Sequence, residues 1–180
     1  MEKDKLANLI RERCLKVSEE PVFKLSSGKL SRYYVDLKAL TFDPSGLSLI
    51  GKLIYHLIMP HNPTHAGGLT LGADPITYAV SIHSLREERI IKPIVVRKEP
   101  KDHGTGRQVE GIFKKGDRVA VLEDVVTTGG SALKAVKACE REGLEVVGVF
   151  AVVDREEGGR ENIEREGLRL YSLLTLGELL

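Results

Sequence analysis

Cysteine is nearly missing from this 180-residue chain, which holds only Cys14 and Cys139. Two thiols cannot build a disulfide framework and are too few for a structural zinc site. Both fall in stretches that read as helix, so reduced core or surface thiols are expected. An excess of charge of either sign is also missing. Lys+Arg number 27 against 26 Asp+Glu, a formal charge of +1. That argues against a chain that holds nucleic acid through net positive charge. No apolar run approaches the ~18 residues that cross a bilayer, so no membrane partner is expected. The opening Met1-Glu2-Lys3-Asp4-Lys5 runs straight into an amphipathic pattern. It lacks the apolar run and small-residue cleavage site of a secretory signal, and a reducing cytoplasm is the expected location. Repeats and low-complexity tracts are absent.

What is present suits one ordinary domain. Hydrophobic residues make up 42%, enough for a core and too many for disorder. Leu6, Leu9, Ile10, Arg13, Cys14 and Val17 recur at three- and four-residue steps, which predicts a helix over 3–17. Residues 22–40 suggest two strands around a Ser-Gly turn. Asp43-Pro44 caps a helix to about Met59. Strands and helices then alternate: strand 66–71, helix 76–86, strand 90–96, strand 118–122, helix 130–141, strand 146–153, a weak helix 161–166 and strand 168–174. Residues 98–110 carry no apolar periodicity and are expected as a long loop. The later strands are rich in Val, Ile and Leu with little alternation, as strands covered on both faces are. The expectation is an α/β fold, a parallel sheet flanked by helices. An N-terminal helix and hood strands occupy 1–42 and the α/β core 43–180, as one compact body overall.

The most informative stretch is Val119-Ala120-Val121-Leu122-Glu123-Asp124-Val125-Val126-Thr127-Thr128-Gly129-Gly130-Ser131. An apolar strand leads through two acids to Thr-Thr-Gly-Gly-Ser, which opens a helix. A helix start offers unpaired N–H groups and the positive end of the dipole. Glycines let the main chain approach a phosphate, and the hydroxyls add donors, which together make a monophosphate cradle. The two carboxylates lie within reach of the same ligand. They could accept hydrogen bonds from a sugar diol and face a developing positive charge. Each piece alone also fits a plain strand-to-helix turn beside a solvated acid pair. No Gly-Lys-Ser/Thr follows the glycines, so this is not a Walker A loop, and G-x-G-x-x-G is absent too.

Two acids, two apolar residues and Thr-Thr-Gly-Gly-Ser resemble the phosphoribosyl pyrophosphate (PRPP) motif of the type I phosphoribosyltransferases. Arg97-Lys98-Glu99-Pro100-Lys101-Asp102-His103-Gly104 resembles the catalytic loop of the orotate phosphoribosyltransferases. Ser27-Gly28-Lys29-Leu30-Ser31-x-Tyr33-Tyr34 is similar to their hood segment, and Val153-Asp154-Arg155 to their Asp-Arg pair. The resemblance spans about residues 20–160.

It implies a type I phosphoribosyltransferase-like fold and transfer of ribose 5-phosphate from PRPP to orotate, releasing pyrophosphate. The implied PRPP contacts are Arg97, Lys98, Lys101, His103, Glu123, Asp124, Val125, Val126, Thr127, Thr128, Gly129, Gly130 and Ser131. Lys101, His103 and Asp124 are the implied catalytic residues; Thr127 and Arg155 would meet orotate. The cations of 97–103 would act on the departing pyrophosphate. Arg155 can grip a carboxylate with its planar fork; the alternative is a surface arginine among Glu156 and Glu157. Mg²⁺ would arrive with PRPP, held mostly by ligand oxygens and water. His56, His61, His65 and His83 look scattered and are expected to be structural or surface residues. The resemblance also implies a homodimer in which the 98–110 loop completes the neighbouring active site. The sequence departs from the family at Ser26, where a Lys is usual, and at Ala73-Asp74, where Tyr-Lys is common. The alternatives are transfer to another nucleobase and a non-catalytic PRPP sensor.

Overall fold

The computed structural model describes residues 1–25, 28–100 and 106–180. Helix α1 (Glu2–Arg13) leads into four short strands, β1 (Leu15–Val17), β2 (Phe23–Lys24), β3 (Leu30–Ser31) and β4 (Tyr33–Val35). Helices α2 (Lys38–Thr41) and α3 (Pro44–Ile58) follow, then β5 (His65–Leu69), α4 (Ala73–Ser84), β6 (Lys92–Val96) and β7 (Val109–Gly111). The chain closes with β8 (Arg118–Val126), α5 (Gly130–Arg141), β9 (Glu145–Asp154), α6 (Gly159–Arg165), β10 (Leu170–Thr175) and α7 (Leu176–Leu179).

Six strands form the central sheet in the order β10-β9-β8-β5-β6-β7. All neighbours are parallel except β6 and β7. Alternate residues of one strand enter different cores, which explains the unbroken apolar runs. Ala120, Leu122, Phe150 and Val152 join one cluster with α1, α3 and α4 residues. Val119, Val121, Val149 and Ala151 join the other, with Ala132, Ala135, Val136 and Cys139 of α5 and Ile163 of α6. A parallel sheet clad on both faces is the α/β architecture expected. No helix among the described residues is long and apolar enough to cross a membrane.

The N-terminal segment shares the first core. Leu6 and Ile10 are fully buried alongside Ile50, Ile54 and Ile58 of α3; burial of that kind contributes about 1.5–3 kcal/mol per side chain. Arg11 fastens α1 to the other end of the chain, its Nε donating to the Leu179 carbonyl at 3.1 Å and its Nη2 to that of Glu178 at 2.7 Å.

Several boundaries differ from expectation. The first helix ends at Arg13, because Leu15–Val17 pair antiparallel with Tyr33–Val35. Phe23–Lys24 pairs antiparallel with Leu30–Ser31, whereas Tyr33–Val35 pairs with β1; Ser26 and Ser27 of the expected turn lie outside the described residues. Helix α4 starts at Ala73, three residues early, since Pro75 is tolerated in a first turn. The 98–110 loop ends in β7, which pairs with β6. Strand β8 runs four residues beyond Leu122, carrying Glu123 and Asp124 inside it, because β9 pairs with it as far as Val126↔Asp154. Acids are poor strand formers, and here cross-strand pairing outweighs that preference. Helix α7 was not expected. Thr175 and Glu178 form its capping box, with the Thr175 N–H donating to Glu178 Oε2 at 2.8 Å.

Candidate active site

Strand β5 continues through α4 to β6 on one side, and β8 through α5 to β9 on the other. The order in which strands are added therefore reverses between the parallel strands β5 and β8, and ligands of open α/β sheets bind at the carboxyl edge of such a point. The two turns that leave this edge are Thr70–Gly72 and Thr127–Gly129.

The second turn forms a pocket of about 240 Å³ lined by Glu123, Val125 to Ala132 and Lys134. Gly129 has φ +81°, a conformation that costs glycine nothing, and it turns the chain directly into α5. Helix α5 has twelve residues and no acid in its first turn, so its N–H groups and dipole face the pocket without a built-in anion. Asn162 Nδ2 donates to the Thr128 carbonyl at 2.9 Å and ties the turn to α6. The expected residues Glu123, Val125, Val126, Thr127, Thr128, Gly129, Gly130 and Ser131 thus line a single cavity. Lys134, one helical turn further on, also lines it; its place after the cradle was the available signal, and the sequence reading passed over it.

Glu123 is 7% exposed, and its Oε2 has no hydrogen-bond partner among the described residues. Burial first, and the neighbouring Asp124 charge second, push its carboxyl well above the usual carboxylate range. Asp124 Oδ1 accepts from the Val125 N–H at 2.8 Å. Its carboxylate abuts the first turn: a Cβ placed on Gly72 would lie 2.8 Å from it. Within that turn, Thr70 Oγ1 donates to Asp74 Oδ2 at 2.6 Å, while Asp74 Oδ1 is buried without a hydrogen bond among the described residues. Lys38 is a further cation the sequence reading missed. Its ammonium is 3.1 Å from Asp36 Oδ1, and Asp36 first, then Tyr34 and Asp124 to a smaller degree, raise its pKa.

Arg155 is not a surface residue. It is 4% exposed, and its Nη2 donates to Ser31 Oγ at 3.1 Å, the Tyr33 carbonyl at 2.9 Å and Glu157 Oε1 at 2.7 Å. One guanidinium thus joins the end of β9 to the hood. Its Nε is buried without a hydrogen bond among the described residues. Asp154 beside it is a structural acid, accepting from the Glu156 N–H at 2.9 Å and from Arg160 Nη2 at 3.0 Å.

Arg97 and Lys98 stand at the start of the cationic segment. Arg97 Nη1 lies 3.7 Å from Glu110 Oε1. Lys98 lines a groove with Lys134, Lys137 and Arg141, and Lys134 lines the pocket at the start of α5 as well. Lys101 and His103 lie outside the described residues.

A largely parallel sheet with a hydroxyl- and glycine-lined pocket at its point of reversal, and a hood tied down by Arg155, places the chain among the type I phosphoribosyltransferases. No protein-family model matches it. Along its whole length it is similar to an orotate phosphoribosyltransferase of Aquifex aeolicus, 69% identical over 180 residues, covering 100% of this chain and 98% of the relative. An orotate phosphoribosyltransferase of Pyrococcus horikoshii is 46% identical over 181 residues, covering 98% and 92%. The crystal structure of Mycobacterium tuberculosis orotate phosphoribosyltransferase in complex with PRPP matches with a TM-score of 0.81 and 41% identity, covering 99% of both chains. The chain belongs to the orotate phosphoribosyltransferase family.

Proposed function

We propose that this chain transfers ribose 5-phosphate from PRPP to orotate, forming orotidine 5′-monophosphate and pyrophosphate. The observation that carries the proposal is the Thr127–Ser131 cradle at the mouth of an acid-free helix, directly beside Glu123 and Asp124. The 5′-phosphate takes the N–H and hydroxyl donors of Thr127, Thr128, Gly129, Gly130 and Ser131, with Val125 and Val126 forming the wall. Glu123 and Asp124 take the ribose hydroxyls. A protonated Glu123 can donate as well as accept, which suits a diol.

The acceptor carboxylate meets Arg155, whose Nε is a buried donor without a hydrogen bond among the described residues, with Thr127 across the ring. Arg97, Lys98, Lys101 and His103 draw off the pyrophosphate, engaging most strongly as charge develops on the leaving oxygen. Asp124 faces the positive charge that builds at the anomeric carbon. The residues at this edge fit a magnesium carried by the substrate: Asp124 offers a hard oxygen, and Glu123 is too buried and too readily protonated to anchor a cage. When bound, Mg²⁺ neutralises charge on the pyrophosphate.

A homodimer belongs to this proposal. Tyr78, Ile82 and Leu85 are exposed along one face of α4 and the turn after it, and Ile112 lines a groove with Tyr78. An apolar stripe of this kind suits a second copy of the chain. A cytoplasmic location, with Cys14 and Cys139 as buried thiols, goes with the same reading.

The test is a spectrophotometric assay with orotate, PRPP and Mg²⁺, run beside adenine, hypoxanthine and uracil. Turnover with orotate alone is expected. Preference for another base would reassign the acceptor, and PRPP binding without turnover on any base would make the protein a sensor.

A further inference from the structure

We infer that His56, His83 and Glu87 form a binding site for one divalent transition metal of the Zn²⁺ or Ni²⁺ class, which clamps the end of α3 to the end of α4. The two histidines stand 27 positions apart and looked unrelated in sequence. The fold brings them together: candidate ligand atoms of all three residues lie within 4.8 Å of one another. Among the described residues, no other group of three His, Cys, Asp or Glu side chains does so.

The pieces are partly set in place. His83 Nε2 lies 3.1 Å from Glu87 Oε1, close to the ligand–ligand spacing of about 3.3 Å that metal bonds of about 2.0–2.1 Å give in a tetrahedron. That nitrogen is buried and makes no aligned hydrogen bond among the described residues. The buried Tyr55 ring backs both imidazoles, 5.3 Å from His83 and 5.5 Å from His56, centroid to centroid. Its hydroxyl donates to the Arg89 carbonyl at 3.1 Å, which steadies the chain just past Glu87. His56 is exposed and has the freedom to close the remaining gap. Three protein ligands leave a fourth position for water.

Two imidazoles and a carboxylate select a borderline metal over Mg²⁺, which prefers oxygen and keeps its waters. The cluster lies beside the chain that enters β6, whereas the cradle lies where β8 ends, at the other edge of the sheet. The site therefore holds whatever reaction the cradle performs.

The experiment titrates chelator-treated, full-length protein with Co²⁺ in excess Mg²⁺. It follows visible d–d absorption and thermal unfolding. One equivalent is expected to bind, with a rise in Tm. His56→Ala and Glu87→Gln should each weaken binding by about tenfold or more while leaving orotate turnover unchanged. His56 is exposed, so its replacement does not threaten the fold. No saturable uptake, or uptake that either variant retains in full, overturns the assignment.

Discussion

The turns after β8 and after β5 leave the same edge of neighbouring parallel strands, and both open helices of twelve residues. One presents Thr127, Thr128, Gly129, Gly130 and Ser131, with no acid in the first turn of its helix. The other carries Asp74 in that position, held by Thr70 at 2.6 Å. A helix start favours an anion, and the two turns meet that preference differently. At α4 the chain supplies the negative charge itself. At α5 no side chain of the first turn supplies it. Topology alone makes both turns candidates, and side-chain chemistry separates them.

The largest expected effect comes from β5, which leads into the α4 turn and lies against β8. A Cβ on Gly68 would lie 2.0 Å from the Leu122 carbonyl oxygen and 2.8 Å from the Ala73 side chain. Gly68→Ala should therefore cost about 3 kcal/mol, read as a fall in Tm on the order of 10 °C. A neutral result would mean that β5 and β8 are less tightly matched than described.

Making the start of α5 resemble that of α4 is the next test. Ser131 is exposed in the first turn of α5, so Ser131→Asp should leave Tm unchanged or slightly raised. It should raise KM for PRPP by about tenfold or more, because like charges then meet in the cradle. An unchanged KM would remove the phosphate from this turn.

Glu123 gives a pH-resolved test of the strand beneath. Its folded pKa is raised above the ordinary 4.5, so the fold favours the neutral acid. The associated stability is fully present below about pH 4.5. It is lost as pH rises towards the raised folded value, because the unfolded chain ionises first. Glu123→Gln should match the parent below that pH. Above it, Tm should rise by about 2–4 °C for each kcal/mol of relieved burial, with weaker use of PRPP. A Tm difference that does not depend on pH would contradict the burial argument.

The smallest effect is expected from the reverse exchange. Asp74→Asn keeps an oxygen for Thr70 and removes the charge. PRPP or pyrophosphate should then bind about threefold more tightly, measurable as KM or as product inhibition. A loss of affinity would show that the acid serves the turn's shape more than it opposes the ligand.

The cradle was legible because its parts are contiguous: a buried strand, two acids and a hydroxyl-glycine turn follow one another within thirteen residues. The parallel sheet was legible for a similar reason, since burial on both faces leaves its mark on each strand separately. What escaped depends on partners distant in sequence. Strand β8 was cut short at Leu122 because acids argue against strand, and only the pairing with β9 extends it. The segment Leu15–Val17 joined the preceding helix because its partner, Tyr33–Val35, lies past a hairpin. Arg155 stood between surface and site until Ser31 and Tyr33, more than 120 positions away, were seen to bury it. The α7 capping box, by contrast, is a local pattern that was in the sequence to be found.

The contacts of Arg155 also govern how the hood can be re-engineered. One acceptor, the Tyr33 carbonyl, is main chain and survives any side-chain replacement there; the other, Ser31 Oγ, is erased by a single change. Chimaeras that borrow a hood from a relative should therefore tolerate wide variation at position 33 so long as the chain path is kept. At position 31 they must conserve an oxygen.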